Sequence, residues 1–106
     1  MRFKDLEKAA GRYKGTPVRL PLAYIENARE YEHETRFVVR ATDTHMFGKG
    51  AGNDFDFLVT YPGRTDVTSG DHGDIYGWVT GWGELINRYG QTQSVPAIEA
   101  KYLVMH

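Results

Sequence analysis

Apolar and polar positions change period along the chain near residue 15. Over residues 2–14, Phe3, Leu6, Ala10 and Tyr13 recur at steps of three and four, predicting an amphipathic helix. Lys4, Lys8 and Arg12 fall on another face of it at i, i+4 and i+8. Gly15 is placed to end the helix, and Pro17 discourages its continuation. Gly11 costs about 1 kcal/mol relative to alanine inside a helix, which favours an earlier end.

From Pro17 onward the period is two. Val18, Leu20, Leu22 and Tyr24 alternate with Arg19, Pro21 and Ala23, as on a half-buried strand. Pro21 cannot donate to a ladder, so the strand is expected at an edge or locally broken. A second run sets Tyr31, His33, Thr35, Phe37, Val39 and Ala41 on one face. Glu30, Glu32, Glu34, Arg36, Val38 and Arg40 take the other. Glu26 to Arg29 is the expected hairpin turn. A helix over 22–34 is the competing reading, because Tyr24, Ala28 and Tyr31 also fit helical spacing.

Alternation returns at Asp54–Tyr61, with Phe55, Phe57 and Val59 opposite Asp54, Asp56 and Leu58. Pro62-Gly63 signals a turn, and residues 64–73 read as a polar excursion. Ile75, Gly77, Val79 and Gly81 then alternate with Tyr76, Trp78, Thr80 and Trp82, predicting a strand with an aromatic face. Residues 83–89 read as a short helix ended by Gly90. The last strand is expected over Ala97–Met105, with Ile98, Ala100, Tyr102 and Val104 on one face. The fold class is therefore α+β. We expect an N-terminal helix packed on a curved, mostly antiparallel sheet of about five strands, or a small open barrel, forming a single domain over 1–106.

Composition narrows the chemistry. With 106 residues, 41% hydrophobic and 25% charged, the chain has the makings of one packed domain. The absence of cysteine excludes a disulfide scaffold, a thiolate nucleophile and sulfur-ligated zinc. No apolar run approaches the ~20 residues that cross a bilayer, and Met1–Glu7 lacks the apolar core of a secretory signal. A cytoplasmic protein without a membrane partner is the expectation (host cytoplasm, if viral).

The net charge of −1 hides a sorted distribution. Residues 1–20 carry six basic side chains against Asp5 and Glu7, whereas residues 21–34 set four glutamates against Arg29. A duplex-DNA binder is usually clearly basic overall, so the balance disfavours that class and leaves a local basic face.

Several constellations invite a chemical reading. The loop Gly48-Lys49-Gly50-Ala51-Gly52-Asn53 could cradle an anion. It lacks the Ser or Thr after lysine and the following helix of a phosphate loop, and leads instead into Asp54-Phe55-Asp56-Phe57. His45-Met46-Phe47-Gly48 and Gly50-Ala51-Gly52-Asn53-Asp54-Phe55 resemble the Gly-Asn-Asp-Phe segment near the start of diaminopimelate epimerases, over about ten residues. That family works through paired catalytic cysteines in a much longer chain. This chain has none, so the likeness carries no activity across.

His33, His45, His72 and His106 lack metal-ligand spacing, and no metal or cofactor is expected. Asp54 and Asp56 share a strand face about 6.5–7 Å apart. With His45, His72 or Glu84 they could serve a small hydrolase or lyase. Ser69 and Ser94, the only serines, sit in no nucleophile elbow.

Three surfaces remain for binding. One is the Lys4, Lys8 and Arg12 stripe, the basis of a small nucleic-acid-binding module as the alternative function. The second is the charged row Glu30, Glu32, Glu34 and Arg36, suited to steering a partner. The third is Tyr76, Trp78 and Trp82 with Arg88, residue types enriched at interface hot spots. The leading expectation is a non-catalytic interaction protein that binds a protein partner or assembles with itself. Small phage or mobile-element proteins, such as anti-CRISPR inhibitors of host defence or virion assembly subunits, are of this kind.

Overall fold

The computed structural model describes residues 2–42, 54–87 and 89–106. Helix α1 spans Phe3–Ala9 and continues into a 3-10 turn over Ala10–Tyr13. Five strands follow: β1 (Pro17–Glu30), β2 (Glu34–Thr42), β3 (Asp54–Pro62), β4 (His72–Ile86) and β5 (Thr92–Met105). β1 pairs antiparallel with β2, and β2 with β3. β5 lies between β3, to which it is parallel, and β4, to which it is antiparallel. β4 then pairs back onto β1, so the five strands close into a ring in the order β1-β2-β3-β5-β4. Closure is how a small β-protein protects strand edges that would otherwise template aggregation.

The interior is filled by alternate residues of every strand. Leu20, Ile25, Phe37, Val39, Phe57, Val59, Ile75, Val79 and Ile98 are all buried. Helix α1 adds Phe3 and Leu6 to this core. Phe3 meets Phe55 and Phe57 edge-on, with centroids 6.0 and 5.0 Å away, the geometry that ring quadrupoles favour. Burying Leu6 alone contributes about 2 kcal/mol, which offsets part of the cost of ordering so short a helix. At its start Asp5 accepts a hydrogen bond from the Arg2 N–H (3.3 Å).

The α+β class, the mostly antiparallel sheet and the N-terminal helix match the sequence expectation, while several local features differ. The helix expected over 2–14 breaks at Ala9 (φ −148°, ψ 50°), so Arg12 lies on the 3-10 turn, outside the helical register of Lys4 and Lys8. The hairpin turn expected at Glu26–Arg29 lies instead at residues 31–33, where the Tyr31 N–H donates to the Glu34 carbonyl (2.7 Å). The competing helix over 22–34 does not form, since β1 runs through those residues. Nor does the short helix at 83–89. Ile86 pairs with Thr92, and the Asn87 side chain organises the turn by accepting the N–H groups of Tyr89 (2.9 Å) and Gln91 (3.0 Å). The Gly48–Asn53 loop and His45 lie outside the described residues.

Register slips account for the other differences. β1 slips against β4 between Leu20 and Ala23, and β5 carries an extra residue, Lys101, opposite Tyr76/Gly77. Each slip moves the side chains beyond it to the opposite face of the sheet. Leu22 and Tyr24, expected alongside Leu20, therefore point outward. Tyr102 and Val104, expected alongside Ile98, do the same.

Candidate functional site

The outward side chains of β1, β4 and β5 gather on one side of the ring. The register places Arg19 opposite Tyr76, and Tyr76 opposite Tyr102. One step along, Asp74 stands opposite Val104, near Leu22 on the bulged part of β1. Tyr24 lies a further step along, opposite His72. Leu22 is 69% exposed and Tyr102 59%, and Tyr24 and Val104 are also exposed. Tyr76 and Trp78 are half-buried. A groove of about 620 Å³ runs across this face, lined by Pro17, Arg19, Tyr76, Trp78, Lys101 and Tyr102 among others.

Backbone geometry at the face is unusual where Leu22 sits. Leu22 has φ 50°, the left-handed region that costs a residue with a Cβ about 1 kcal/mol. Pro21 beside it has no N–H to give, and the Leu22 N–H donates to Asp74 Oδ1 (2.9 Å). The other oxygen of Asp74 accepts Arg19 Nη2 (2.8 Å), and His106 Nε2 approaches Oδ1 at 3.7 Å. The Leu22 N–H, and after it Arg19, holds the Asp74 carboxyl below the usual carboxylate range. Asp74 is thus a brace. It satisfies the bulge, orients Arg19, and leaves an apolar side chain standing in solvent.

Cations sit beside rings in this groove. The Arg19 guanidinium lies 5.7 Å from the Tyr76 centroid, and Lys101 Nζ lies 5.6 Å from that of Tyr102. Tyr, Trp and Arg around an apolar patch is the composition of protein-interface hot spots.

Of the residues singled out from sequence, Tyr76 and Trp78 lie on this face. Trp82 does not. Beyond the slip between Val79 and Gly81 it rests against the 3-10 turn, with its indole Nε1 3.6 Å from where a Gly11 side chain would begin. Arg88 lies outside the described residues. Glu30, Glu32, Glu34 and Arg36 surround the far end of the β1–β2 hairpin, where Glu30 pairs with Arg64 (3.2 Å) and Glu34 with Arg36 (2.5 Å). Lys4, Lys8 and Arg12 are solvent-exposed.

Of the carboxylates considered for catalysis, Asp54 and Asp56 stay together and Glu84 lies apart. Asp54 accepts the Thr42 hydroxyl (2.7 Å), and Asp56 lies 3.7 Å from Arg40. Both border a small cleft of about 260 Å³ with Glu7, while His72 and Glu84 lie elsewhere. Among the described residues no three His, Asp or Glu side chains converge as a metal site would require. Among them, too, no helix is long and apolar enough to cross a membrane.

Sequence reasoning missed Leu22, Tyr24, Tyr102 and Val104. Pro21 was the available signal for the first pair. For the second pair there was none, since Tyr102-Leu103-Val104-Met105 is apolar in either register. Comparison with protein families, with curated proteins and with solved structures finds no match for this chain.

Proposed function

We propose that this chain is a non-catalytic binding domain that docks a protein partner on the outer face of β1, β4 and β5. The observation that carries this reading is the contiguous set Leu22, Tyr24, Tyr76, Trp78, Tyr102 and Val104 on one closed ring. Exposed apolar patches of this kind are uncommon on monomers and mark interaction sites. The net charge of −1 and the exposed aliphatic Leu22 and Val104 favour protein over duplex nucleic acid. An inhibitor or an assembly subunit works in this manner, burying such a face on its target.

Site-specific photo-crosslinking tests the reading. A benzoylphenylalanine at position 102 should capture a discrete partner in extracts of the source organism, and one at position 60, on the outer side of β3, should not. Tyr102→Glu in a chain crosslinked from position 24 should abolish the adduct while far-UV circular dichroism stays unchanged. Equal capture from positions 102 and 60 would sink the proposal.

A further inference from the structure

We propose that a second groove, between the ends of the two long hairpins, binds a nucleoside phosphate, either free or within a single strand of nucleic acid. The groove measures about 500 Å³, within the range of small-ligand sites. Its walls come from the β1–β2 hairpin (Arg29, Tyr31, Arg36) and the β4–β5 hairpin (Ile86), and Val38 and Leu58 line it between them.

Three observations define the ligand. First, Arg29 and Arg36 are direct cross-strand partners, an arrangement in which like charges oppose each other at a cost. Glu34 engages Arg36 through Nε, whereas Arg29 makes no ion pair or hydrogen bond among the described residues. An anion between them relieves the repulsion, and guanidinium forks suit the oxygens of a phosphate. Second, the Arg36 guanidinium lies over the Tyr31 ring at 4.7 Å, and Tyr31 remains 39% exposed. Such a stack accepts the flat face of a base. Third, Ile86 is 73% exposed although it lines the groove, so apolar surface is available to the same ring. Glu84, the one carboxylate among the described lining residues, can accept from sugar hydroxyls and disfavours a di- or triphosphate.

This site is separate from the aromatic face and does not depend on the partner reading. Isothermal titration with adenosine monophosphate, adenosine, inorganic phosphate and a short single-stranded oligothymidylate tests it. Adenosine and phosphate alone should each bind at least ~10-fold more weakly than the monophosphate, because each keeps half of the contacts. Arg29→Ala should weaken monophosphate binding roughly 10-fold or more, with Arg29→Lys recovering part of the loss. Tyr31→Ala should weaken it about fivefold or more through lost stacking. Lys101→Ala and Tyr102→Glu, on the other face, should leave it unchanged. Tighter, salt-sensitive binding of the oligonucleotide assigns the site to a strand, and binding no tighter than the monophosphate assigns it to a free nucleotide. The proposal is overturned if neither ligand binds at millimolar concentration, if phosphate alone binds as well, or if a folded Arg29→Ala protein binds undiminished.

Discussion

The outer faces on opposite sides of the ring follow different rules. On β2 and β3, outward positions carry charges that find partners: Arg36 with Glu34, Arg40 with Glu26 (2.5 Å) and Asp56 (3.7 Å), and Thr42 with Asp54. On β1, β4 and β5, the outward positions include Leu22, Tyr24, Tyr76, Trp78, Tyr102 and Val104, and Asp74 beside them is turned to brace the backbone. Both sides enclose the same core. They differ in register, since the β2–β3 pairing runs from Glu34↔Pro62 to Thr42↔Asp54 without a slip, while β1 and β5 each slip against β4. A slip of one residue turns out what continuous alternation would have buried.

The largest expected effect comes from removing the close strand approach that accompanies the β5 slip. A methyl group at Gly77 would run into the carbonyl oxygen of Glu99, so Gly77→Ala should destabilise the domain by about 2–3 kcal/mol, measured by chemical denaturation. A loss under about 0.5 kcal/mol, the range of neutral surface changes, would show that the slip needs no such approach.

A smaller effect is expected at the brace. Because the folded state holds Asp74 below its ordinary pKa, its contribution is present above the usual carboxylate range. That contribution is lost as pH falls through the folded value. Asp74→Asn should lower the melting temperature at neutral pH and flatten the acid limb of a melting-temperature profile. An unchanged acid limb would mean that other carboxylates govern acid unfolding.

The smallest effect belongs to the paired face. Arg40→Ala removes two exposed ion pairs and should cost no more than about 1 kcal/mol. A loss comparable to that of Gly77→Ala would erase the contrast between the two sides.

This contrast also marks what could be read from the chain. β2 and β3 were legible to the residue face, because Phe37, Val39, Phe57 and Val59 alternate with polar neighbours and no slip interrupts them. The first half of β1 was legible for the same reason, and so was β5 from Ala97 to Ala100, whereas its start at Thr92 was not, since Val95 and Pro96 are both buried and break the alternation. Beyond Pro21 and Lys101 the pattern misled, since period-two reasoning carries its phase forward and a bulge resets it. Residues 83–89 misled differently. Leu85 and Ile86 suit a helix locally, yet their backbone groups are satisfied by β5, a partner set by tertiary structure. For the candidate site, residue types pointed to Tyr76 and Trp78. The aliphatic half of the face became visible only with the register.

Strand order carries a consequence for how the chain folds. β5 follows β4 in the chain, yet it occupies the place between β3 and β4. Until it arrives, the earlier strands hold an open edge on each side of the gap, and β3 gains its parallel neighbour only after β4 has been made. Such late, non-local pairing makes folding slow and leaves apolar edges exposed meanwhile. During synthesis, the arrival of β5 (Thr92–Met105) decides whether the sheet closes on itself or on a neighbouring molecule.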